Sequence, residues 1–337
     1  MQEFETIMSI GFGTATLLIV IVLATKVFRY INSRAEFVPL HRSGALHFIQ
    51  KITVFASVVV FYNGLMAHAF VLQRGSFLTP ELFRLFFAIS FTALLLWELF
   101  YLWKVKQVKP LQSILAMVYS LPFLLLGIIF WNNYHQAKKF PSVDESIILS
   151  LPFKGEWVAT GAGATALTNH HDRIPSQRYS IDFARVGEDG RLFRGHGETS
   201  QDSETWGTEV ISPVIGTVVL LVDTLEDDNS MEYLAGNHVI IQVSDTVFVA
   251  LAHFMQHSMK VEKGDLVFPG DPIALVGNSG NSDFPHLHIH VQTTPEYDLH
   301  ETRTLPFRFD EVKRKRFLFW RTARNAYLLG NDRVRIR

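Results

Sequence analysis

The chain has 337 residues and a formal net charge of −1, so its length allows two domains and its overall charge indicates no particular class of partner. It contains no cysteine, which excludes thiolate metal sites, thiol catalysis and disulfides. The mean hydropathy of +0.17 is high for a soluble protein, and the excess lies in the first 135 residues.

Four apolar stretches within residues 1–135 are each long enough to span a bilayer, which takes roughly 20 residues. They are Thr6–Thr25, Ile52–Gln73, Leu85–Trp103 and Leu111–Trp131. No cleavage signal follows the first stretch, so we interpret it as an anchor and not as a signal peptide. The sequence therefore predicts a bundle of four transmembrane α-helices over residues 1–135.

The basic residues between these stretches predict the orientation of the membrane domain. The loop after the first span carries Lys26, Arg29, Arg34, Arg42 and Lys51, and the loop after the third carries Lys104, Lys106 and Lys109. Cytoplasmic loops are enriched in Lys and Arg, so the C-terminal domain is predicted to lie outside the cytoplasmic (inner) membrane. Glu98 and His68 are ionisable groups within the spans, and we interpret both as structural.

A polar linker over residues 136–150 leads into short β-rich runs that alternate with turn signals. Examples are Thr217–Val222, His238–Val243 and Val247–Phe254. No long amphipathic helical pattern occurs between residues 150 and 305. The sequence therefore predicts a mainly antiparallel β domain over residues 151–310, and a basic extension over residues 311–337 that packs on it.

The run HLHIH, from His286 to His290, places a histidine at every second position. Alternate side chains of a β-strand point to one face, so His286, His288 and His290 are predicted to share a face. Neutral imidazole is the commonest metal ligand in proteins. This strand therefore indicates a metal site or a site of proton transfer, and a surface strand that merely carries histidines is the less favoured interpretation.

Three upstream segments supply further candidate groups. They are the NHH run at Asn169–His171, Asp182 within an alternating strand pattern, and His253 at the end of the LAHF run. Ser180 and Ala184 are predicted to share a face with Asp182, and a carboxylate in such a strand is costly to bury unless it is paired or metal-bound. Catalytic zinc uses three protein ligands and leaves a position for water, and nearby histidines can then transfer protons or stabilise an oxyanion.

Residues 155 to about 300 resemble the lysostaphin-type, LytM-like zinc metallopeptidases of bacterial cell walls. The resemblance is carried by SPVIGTVV (Ser212–Val219), GNHVIIQV (Gly236–Val243), and the stretch from VALAHF through VEKGDLVFPGDPIALVGNSGNS to PHLHIHV. It implies an open antiparallel β trough with one Zn²⁺ per chain. It further implies that Asp182 and His288 are metal ligands and that His253 and His286 are catalytic histidines.

One position departs from the common family pattern. The usual motif has a histidine where this chain has Arg178, which cannot bind a metal. The chain instead resembles the variant with N-x-H upstream and Q-x-Y before the aspartate. This resemblance implies that His171 is the first ligand, with His170 as the alternative. If neither residue reaches the metal, the site has two ligands and is degenerate.

The remaining polar features are given more ordinary interpretations. His290 continues the strand face, where we expect a supporting or surface role. Residues 311–337 contain nine Lys or Arg and two acidic residues, a net charge of +7. The KRKR run at Lys313–Arg316 can contact anionic lipid or wall polymers, although we favour a closing piece of the β domain. Nucleic-acid binding is not expected of a domain outside the membrane.

These features together predict a multi-pass membrane protein whose extracytoplasmic domain is a zinc metalloendopeptidase. Its expected partners are the lipid bilayer and the peptide part of peptidoglycan, bound as an extended segment. The main alternative is a non-catalytic binding or regulatory module of the same fold. A transporter or sensor with an attached zinc domain, and a metal-dependent hydrolase of a non-wall substrate, are further alternatives.

Overall fold

Helices and strands occupy separate parts of the chain in this computed structural model. The structure describes residues 44–67, 85–86, 88–90, 92–93, 95–97, 100, 110–230, 232–297, 302–317 and 319–336. Within these residues a helical unit lies before Gln136, and a unit of strands extends from Gln136 towards the C-terminus.

The helical unit contains α1 (Gly44–Ala67) and α2 (Pro110–Ala137), which overlap the second and fourth predicted spans. Within the described residues, Ile49–Ala67 is the one helical stretch that passes a test of length and apolar composition for crossing a membrane. The first predicted span, His68 and Glu98 lie outside the described residues, and the third span is described only in part. The four-helix bundle therefore stays a prediction.

Helices α1 and α2 approach each other at glycine. A Cβ added to Gly127 would lie 2.5 Å from the backbone nitrogen of Phe61, and one added to Gly64 would lie 2.7 Å from the carbonyl oxygen of Gly127. Small residues at such positions let helix backbones pack closely, as is common between helices in membranes.

The second unit consists of strands and two short 3₁₀ helices, at His170–Arg173 and Ser200–Asp202. The strands are β1 (Ile147–Leu149), β2 (Glu156–Gly161), β3 (Ile181–Arg185), β4 (Glu209–Ile211), β5 (Gly216–Val222), β6 (Asn237–Ser244), β7 (Val247–Phe254), β8 (Leu266–Val267), β9 (Pro272–Leu275), β10 (Leu287–Gln292), β11 (Thr304–Leu305), β12 (Phe307–Lys315), β13 (Trp320–Ala326) and β14 (Arg333–Arg335). The prediction of a mainly antiparallel β domain is confirmed.

One large sheet contains twelve of these strands, in the order β1-β12-β14-β2-β3-β10-β7-β6-β5-β8, with β11 beside β10 and β13 beside β12. Every pairing in it is antiparallel except that of β1 with β12, which is parallel. Strands β4 and β9 form a second, two-stranded sheet. Strand β10, which carries the histidines, is hydrogen-bonded to β3 along one edge and to β7 along the other.

The two faces of the central strands differ in chemistry. Leu287, Ile289 and Val291 of β10 are fully buried in the main hydrophobic core, which also contains Phe183 and Leu251 from the flanking strands. The intervening residues point to the other face. On that face the register aligns Asp182 of β3, His288 of β10, Ala252 of β7 and His238 of β6 in one row. The alternation of each strand therefore gathers polar groups into a single row.

Residues 311–337, predicted as an extension that packs on the domain, contribute directly to the large sheet. Strand β12 crosses the predicted boundary at residue 310, and β14 lies between β12 and β2. Arg316 of the KRKR run forms two hydrogen bonds with the fully buried Asp332, with Nε 2.8 Å from Oδ1 and Nη2 2.7 Å from Oδ2. This basic segment therefore forms paired strands of the domain, and several of its arginines, including Arg316 and Arg333, have partners within the domain.

Candidate metal centre

The centre of the site is the carboxylate of Asp182, which is almost completely buried. Nδ1 of His288 lies 2.8 Å from its Oδ1, and Nε2 of His171 lies 2.9 Å from its Oδ2. Nε2 of His286 lies 3.7 Å from Oδ1. The structure thus brings together four of the five site residues predicted from the sequence.

The electrostatics of this cluster favour an ionised carboxylate. Burial by itself raises the pKa of Asp182, but the neighbouring His171 and His286, with hydrogen bonds from His170 and His171, outweigh burial and hold this pKa well below its usual range. Burial lowers the pKa of His288 to about 4, against the opposing effect of Asp182. Burial opposes a charge on His171, but Asp182 outweighs burial and raises the pKa of that imidazole. The site therefore combines one anionic oxygen donor with the neutral imidazole of His288.

A buried asparagine positions the loop that carries His171. The side-chain oxygen of Asn169 accepts a hydrogen bond of 3.0 Å from the backbone nitrogen of His171 and caps the 3₁₀ helix that begins at His170. Its amide nitrogen donates to the carbonyl oxygens of Gly163 at 2.8 Å and Ser180 at 3.1 Å. Asn169 therefore ties the histidine loop to the chain just before Asp182.

Both histidines of the NHH run reach the carboxylate. Nε2 of His170 lies 3.2 Å from Oδ2 of Asp182, and these three residues have ligand atoms close enough to hold one metal ion. The side chain of His170 is 50% exposed, whereas that of His171 is 11% exposed and forms a 3.1 Å hydrogen bond between Nδ1 and Oε1 of Gln177. Burial and this second partner favour His171. Arg178 stands where the common family motif has a histidine, and it forms an ion pair with Asp172.

His253 reaches the site because β7 contains a bulge. Ala252 and Phe254 pair with the consecutive residues His238 and Asn237 of β6, so His253 is an extra residue in the register. Its φ is +66°, in the left-handed region that non-glycine residues seldom adopt and that costs about 1–3 kcal/mol. The imidazole lies 4.6 Å from that of His286 and 5.8 Å from that of His288, between ring centroids.

Backbone carbonyls fix the tautomers of the two predicted catalytic histidines. Nδ1 of His253 lies 2.8 Å from the carbonyl oxygen of Ser279, and Nδ1 of His286 lies 2.8 Å from that of Phe284. Because a carbonyl only accepts, Nδ1 of each ring carries the proton, and each neutral ring keeps a lone pair on Nε2. Burial and the nearby His286 and His288 hold the pKa of His253 well below its usual range. His253 is therefore a neutral acceptor.

The glycine-rich loop before β10 needs its glycines for close packing. A Cβ at Gly277 would lie 2.4 Å from the backbone nitrogen of Met255, directly after the strand that carries His253. Gly280 has a φ of +77°, which favours glycine. This loop supplies the carbonyl of Ser279 to His253 and the hydroxyl of Ser282, 3.1 Å from Nδ1 of His286.

Sequence reasoning overlooked several residues that support the site. Gln292, fully buried, contacts His290, and Tyr297 contacts Gln177. His290, for which a supporting or surface role was expected, is buried and contacts His288. The Q-x-Y motif already contained the signal for Gln177, whereas no sequence pattern singled out Gln292 or Tyr297.

A cavity of about 390 Å³ continues the site face beyond Ala252. It is lined by Leu225, Tyr233, Leu234, His238 and Tyr297, among others. Nδ1 of His238 donates a 2.7 Å hydrogen bond to the carbonyl oxygen of Gly236, which leaves the lone pair on Nε2 as an acceptor. The cavity is therefore mainly apolar with a few polar groups, among them Nε2 of His238 and the carboxylate of Glu232, a composition typical of ligand pockets.

The donor set matches the chemistry of catalytic zinc. Zinc is bound by imidazole nitrogen and carboxylate oxygen, typically with three protein ligands at a catalytic site. His171 and His288 offer two imidazoles that contact opposite oxygens of the Asp182 carboxylate, and the rings of His253 and His286 stand beside them. The residues present therefore fit one such ion, and they provide adjacent groups that can accept protons.

Comparison with known proteins gives one family match. The model of peptidase family M23 matches residues 199–298. This range contains His253, His286 and His288, whereas His171 and Asp182 lie before it.

Two curated proteins and a solved structure share parts of this region. Over 111 residues the chain is 30% identical to the peptidoglycan DD-endopeptidase ShyC of Vibrio cholerae, covering 33% of this chain and 25% of ShyC. It is also 30% identical over 116 residues to the peptidoglycan DD-endopeptidase ShyA of the same organism, covering 34% and 26%. The catalytic domain of lysostaphin from Staphylococcus simulans is 22% identical, covering 37% of this chain and 74% of that one, with a TM-score of 0.25.

These matches cover only part of this chain and part of each relative. The matched segment spans about a quarter of the length of the two curated relatives. The structural similarity to lysostaphin is too low to carry an argument of its own. The family match and the two relatives nevertheless show that the C-terminal part of this chain contains a region similar to peptidase family M23.

Proposed function

We propose that this chain is a membrane-anchored zinc endopeptidase that cleaves the peptide part of peptidoglycan outside the cytoplasmic membrane. The observation that carries this proposal is the meeting of His171 and His288 at the carboxylate of Asp182, with the acceptor nitrogens of His253 and His286 beside it. The substrate class is supported by the two relatives, which are named as peptidoglycan endopeptidases.

His171, Asp182 and His288 would hold one zinc ion per chain. When bound, zinc supplies a Lewis acid for the peptide carbonyl and lowers the pKa of water to about 7. In the neutral form, the rings of His253 and His286 each present Nε2 as a base, because their Nδ1 protons are held by backbone carbonyls. A positioned base of this kind typically contributes about 10²- to 10⁴-fold to rate.

The same two rings also serve the later steps of peptide cleavage. Once Nε2 of His253 or His286 has taken a proton from the attacking water, that nitrogen becomes a donor. It can then stabilise the developing oxyanion or return the proton to the leaving amine. The 4.6 Å separation of the ring centroids lets both rings act on one substrate group.

The cavity beside His238 is the proposed place for a neighbouring part of the peptide. Ala252 separates His238 from His288 in the row across the sheet, so the two histidines lie two strand spacings apart, roughly 10 Å. An extended peptide covers that distance in about three residues. The apolar lining would take a small side chain, and Nε2 of His238 would accept a hydrogen bond from a backbone N–H.

The helical unit is proposed to anchor the domain. The stretch Ile49–Ala67 has the length and apolar character needed to cross a bilayer, and α2 covers the fourth predicted span. We propose a multi-pass arrangement with the β domain outside, on the basis of the basic loops in the sequence.

Zinc stoichiometry of the purified full-length chain is the direct test. We expect about one zinc per chain in the wild type, loss of zinc in His171→Ala, and retention in the matched control His170→Ala. Peptidoglycan digestion by the same samples, followed by mass spectrometry of the released peptides, then tests the activity. A wild type without zinc, or with zinc but without cleavage of any wall peptide, would favour a non-catalytic module.

A further inference from the structure

Three side chains form a continuous buried chain behind the proposed metal ligand His288. Nε2 of His288 lies 3.0 Å from Nδ1 of His290, and Nε2 of His290 lies 2.6 Å from Oε1 of Gln292. All three residues are at most 2% exposed. We call these residues the histidine–glutamine chain.

The far end of the histidine–glutamine chain sets its direction. The amide nitrogen of Gln292 donates to the carbonyl oxygens of Thr294 at 2.8 Å and Glu296 at 2.9 Å. Carbonyl oxygens only accept, so the amide cannot be flipped without losing both hydrogen bonds. Oε1 of Gln292 must then face His290 as an acceptor, and Nε2 of His290 must carry a proton.

The assignment of protons then follows along the strand. A neutral His290 with its proton on Nε2 has a lone pair on Nδ1, which must accept from Nε2–H of His288. A charged His290 would be a buried cation without a carboxylate partner, which is costly. Neutral His288 is therefore left with a lone pair on Nδ1, the atom that lies 2.8 Å from Oδ1 of Asp182.

Two acceptors at hydrogen-bond distance require a cation between or beside them. The lone pair of His288 and the carboxylate of Asp182 repel each other unless a proton or a metal ion is shared. The histidine–glutamine chain therefore leaves the ligand in the form that binds a metal, because a metal takes the lone pair of a neutral imidazole.

A similar arrangement supports His171. Its Nδ1 lies 3.1 Å from Oε1 of Gln177, whose amide nitrogen donates to the hydroxyl of Tyr297 at 2.9 Å. The ring of Tyr297 in turn lies 5.3 Å from that of His290, between centroids. Both proposed histidine ligands are thus supported by a neutral glutamine, and the two arms meet at Tyr297.

We propose that His290 and Gln292 are positioning residues that select Nδ1 of His288 as the metal-binding nitrogen, and that Gln177 orients the ring of His171. This inference rests on the proposed zinc site. It adds that neutral amides orient both ligands without adding charge to the site, and that Gln292, acting through His290, also fixes the tautomer of His288. Partners of metal-bound histidines typically contribute about 10- to 100-fold to metal affinity.

Zinc affinity, measured on the full-length chain by competition with a chelator, is the first part of the test. We expect His290→Phe and Gln292→Leu to raise the Kd for zinc about 10- to 100-fold. The matched control is Phe307→Leu, which removes a buried ring from the main hydrophobic core, away from the site face, and should leave the Kd unchanged. Wild-type affinity in both His290→Phe and Gln292→Leu would overturn the proposal.

The tautomers themselves are the second part of the test, read from nitrogen NMR of the wild type labelled at histidine. In the zinc-loaded chain we expect the proton of His288 on Nε2 and that of His290 on Nε2. A proton on Nδ1 of either ring would overturn the proposal, whatever the variants do. If the wild type binds no zinc, the proposed function fails, whereas the spectrum of the metal-free chain still tests His290, for which a proton on Nδ1 would contradict the inference.

Discussion

The imidazole of His253 packs 4.6 Å from that of His286, although strand alternation alone would turn His253 to the opposite side of the sheet. Its neighbour Ala252 lies on the site face and Leu251 lies in the core, so a regular strand would bury His253 beside the core. The bulge in β7 and the positive φ of His253 redirect the ring into the site. This local strain is the kind that persists at functional positions.

The proposed roles predict different losses for His286 and His288. His288→Ala should abolish both zinc binding and peptidase activity, because it removes a ligand. His286→Ala should keep about one zinc per chain and lower kcat about 10²- to 10⁴-fold, because it removes a base beside the metal. Zinc analysis and turnover on the same samples check both expectations, and full activity in His286→Ala would disprove its assigned role.

Asn169 should control the order of the His171 loop. Asn169→Asp keeps the acceptor for the backbone of His171 but loses the amide that donates to Gly163 and Ser180. We expect the free energy of unfolding to fall by about 1–3 kcal/mol, since buried carbonyls lose their donor, and zinc affinity to fall with it. The control is Asn229→Ala, at an exposed position, and equal stability of the two variants would contradict this role.

The buried pair of Arg316 and Asp332 should matter for stability far more than an exposed pair does. Arg316→Leu leaves the carboxylate of Asp332 buried without its partner, so we expect a loss of about 3–5 kcal/mol. The matched control is Lys260→Leu, which breaks an exposed pair with Glu209 and should cost less than about 1 kcal/mol. Chemical denaturation compares them, and similar small losses would show that the Arg316–Asp332 pair contributes little to the stability of the sheet.

The metal-free chain should lose stability in mild acid. Burial lowers the pKa of His288 to about 4 and that of His290 to about 3, from 6.5 in the unfolded chain. Below pH 6.5 the unfolded state therefore binds more protons, so this stabilisation is complete above pH 6.5 and is lost progressively down to those values. As the pH falls through this range, each of these two histidines lowers the free energy of unfolding by up to about 1.4 kcal/mol per pH unit.

Thermal midpoints measured in chelator at pH 7.5 and pH 5 check this dependence. The midpoint should fall in the wild type and fall less in His290→Phe, which lacks one of the histidines whose pKa is lowered by burial. An equal fall in both proteins would mean that other groups dominate the acid response.

Membrane topology is testable in intact cells. With the β domain outside the cytoplasmic membrane, a tag after Arg337 should be removed by protease added to cells whose outer layers have been opened. A matched tag in the loop after the first predicted span should be protected until the cytoplasmic membrane is broken. Protection of the C-terminal tag would rule out the cell-wall substrate.

The sequence by itself determined the chemistry and much of the local geometry. The HLHIH pattern already indicated that His286, His288 and His290 share a face, because side-chain direction in a strand has a period of two residues. The same rule placed Asp182 on the opposite face of its strand from Ile181 and Phe183. In the structure these two apolar residues lie in the hydrophobic core. Turn residues and strand patterns likewise predicted the antiparallel β domain.

Only the tertiary structure decided the features that depend on distant partners. The register of β7 against β6 creates the bulge that turns His253 towards the metal site. The contact between Gln177 and Tyr297 joins residues 120 positions apart and helps to hold His171 in preference to the more exposed His170. Likewise, β14 at the end of the chain pairs with β2 near the start of the domain. Alternation along one strand is a local property of the backbone, whereas bulges, second partners and strand order arise when segments far apart in sequence pair and pack.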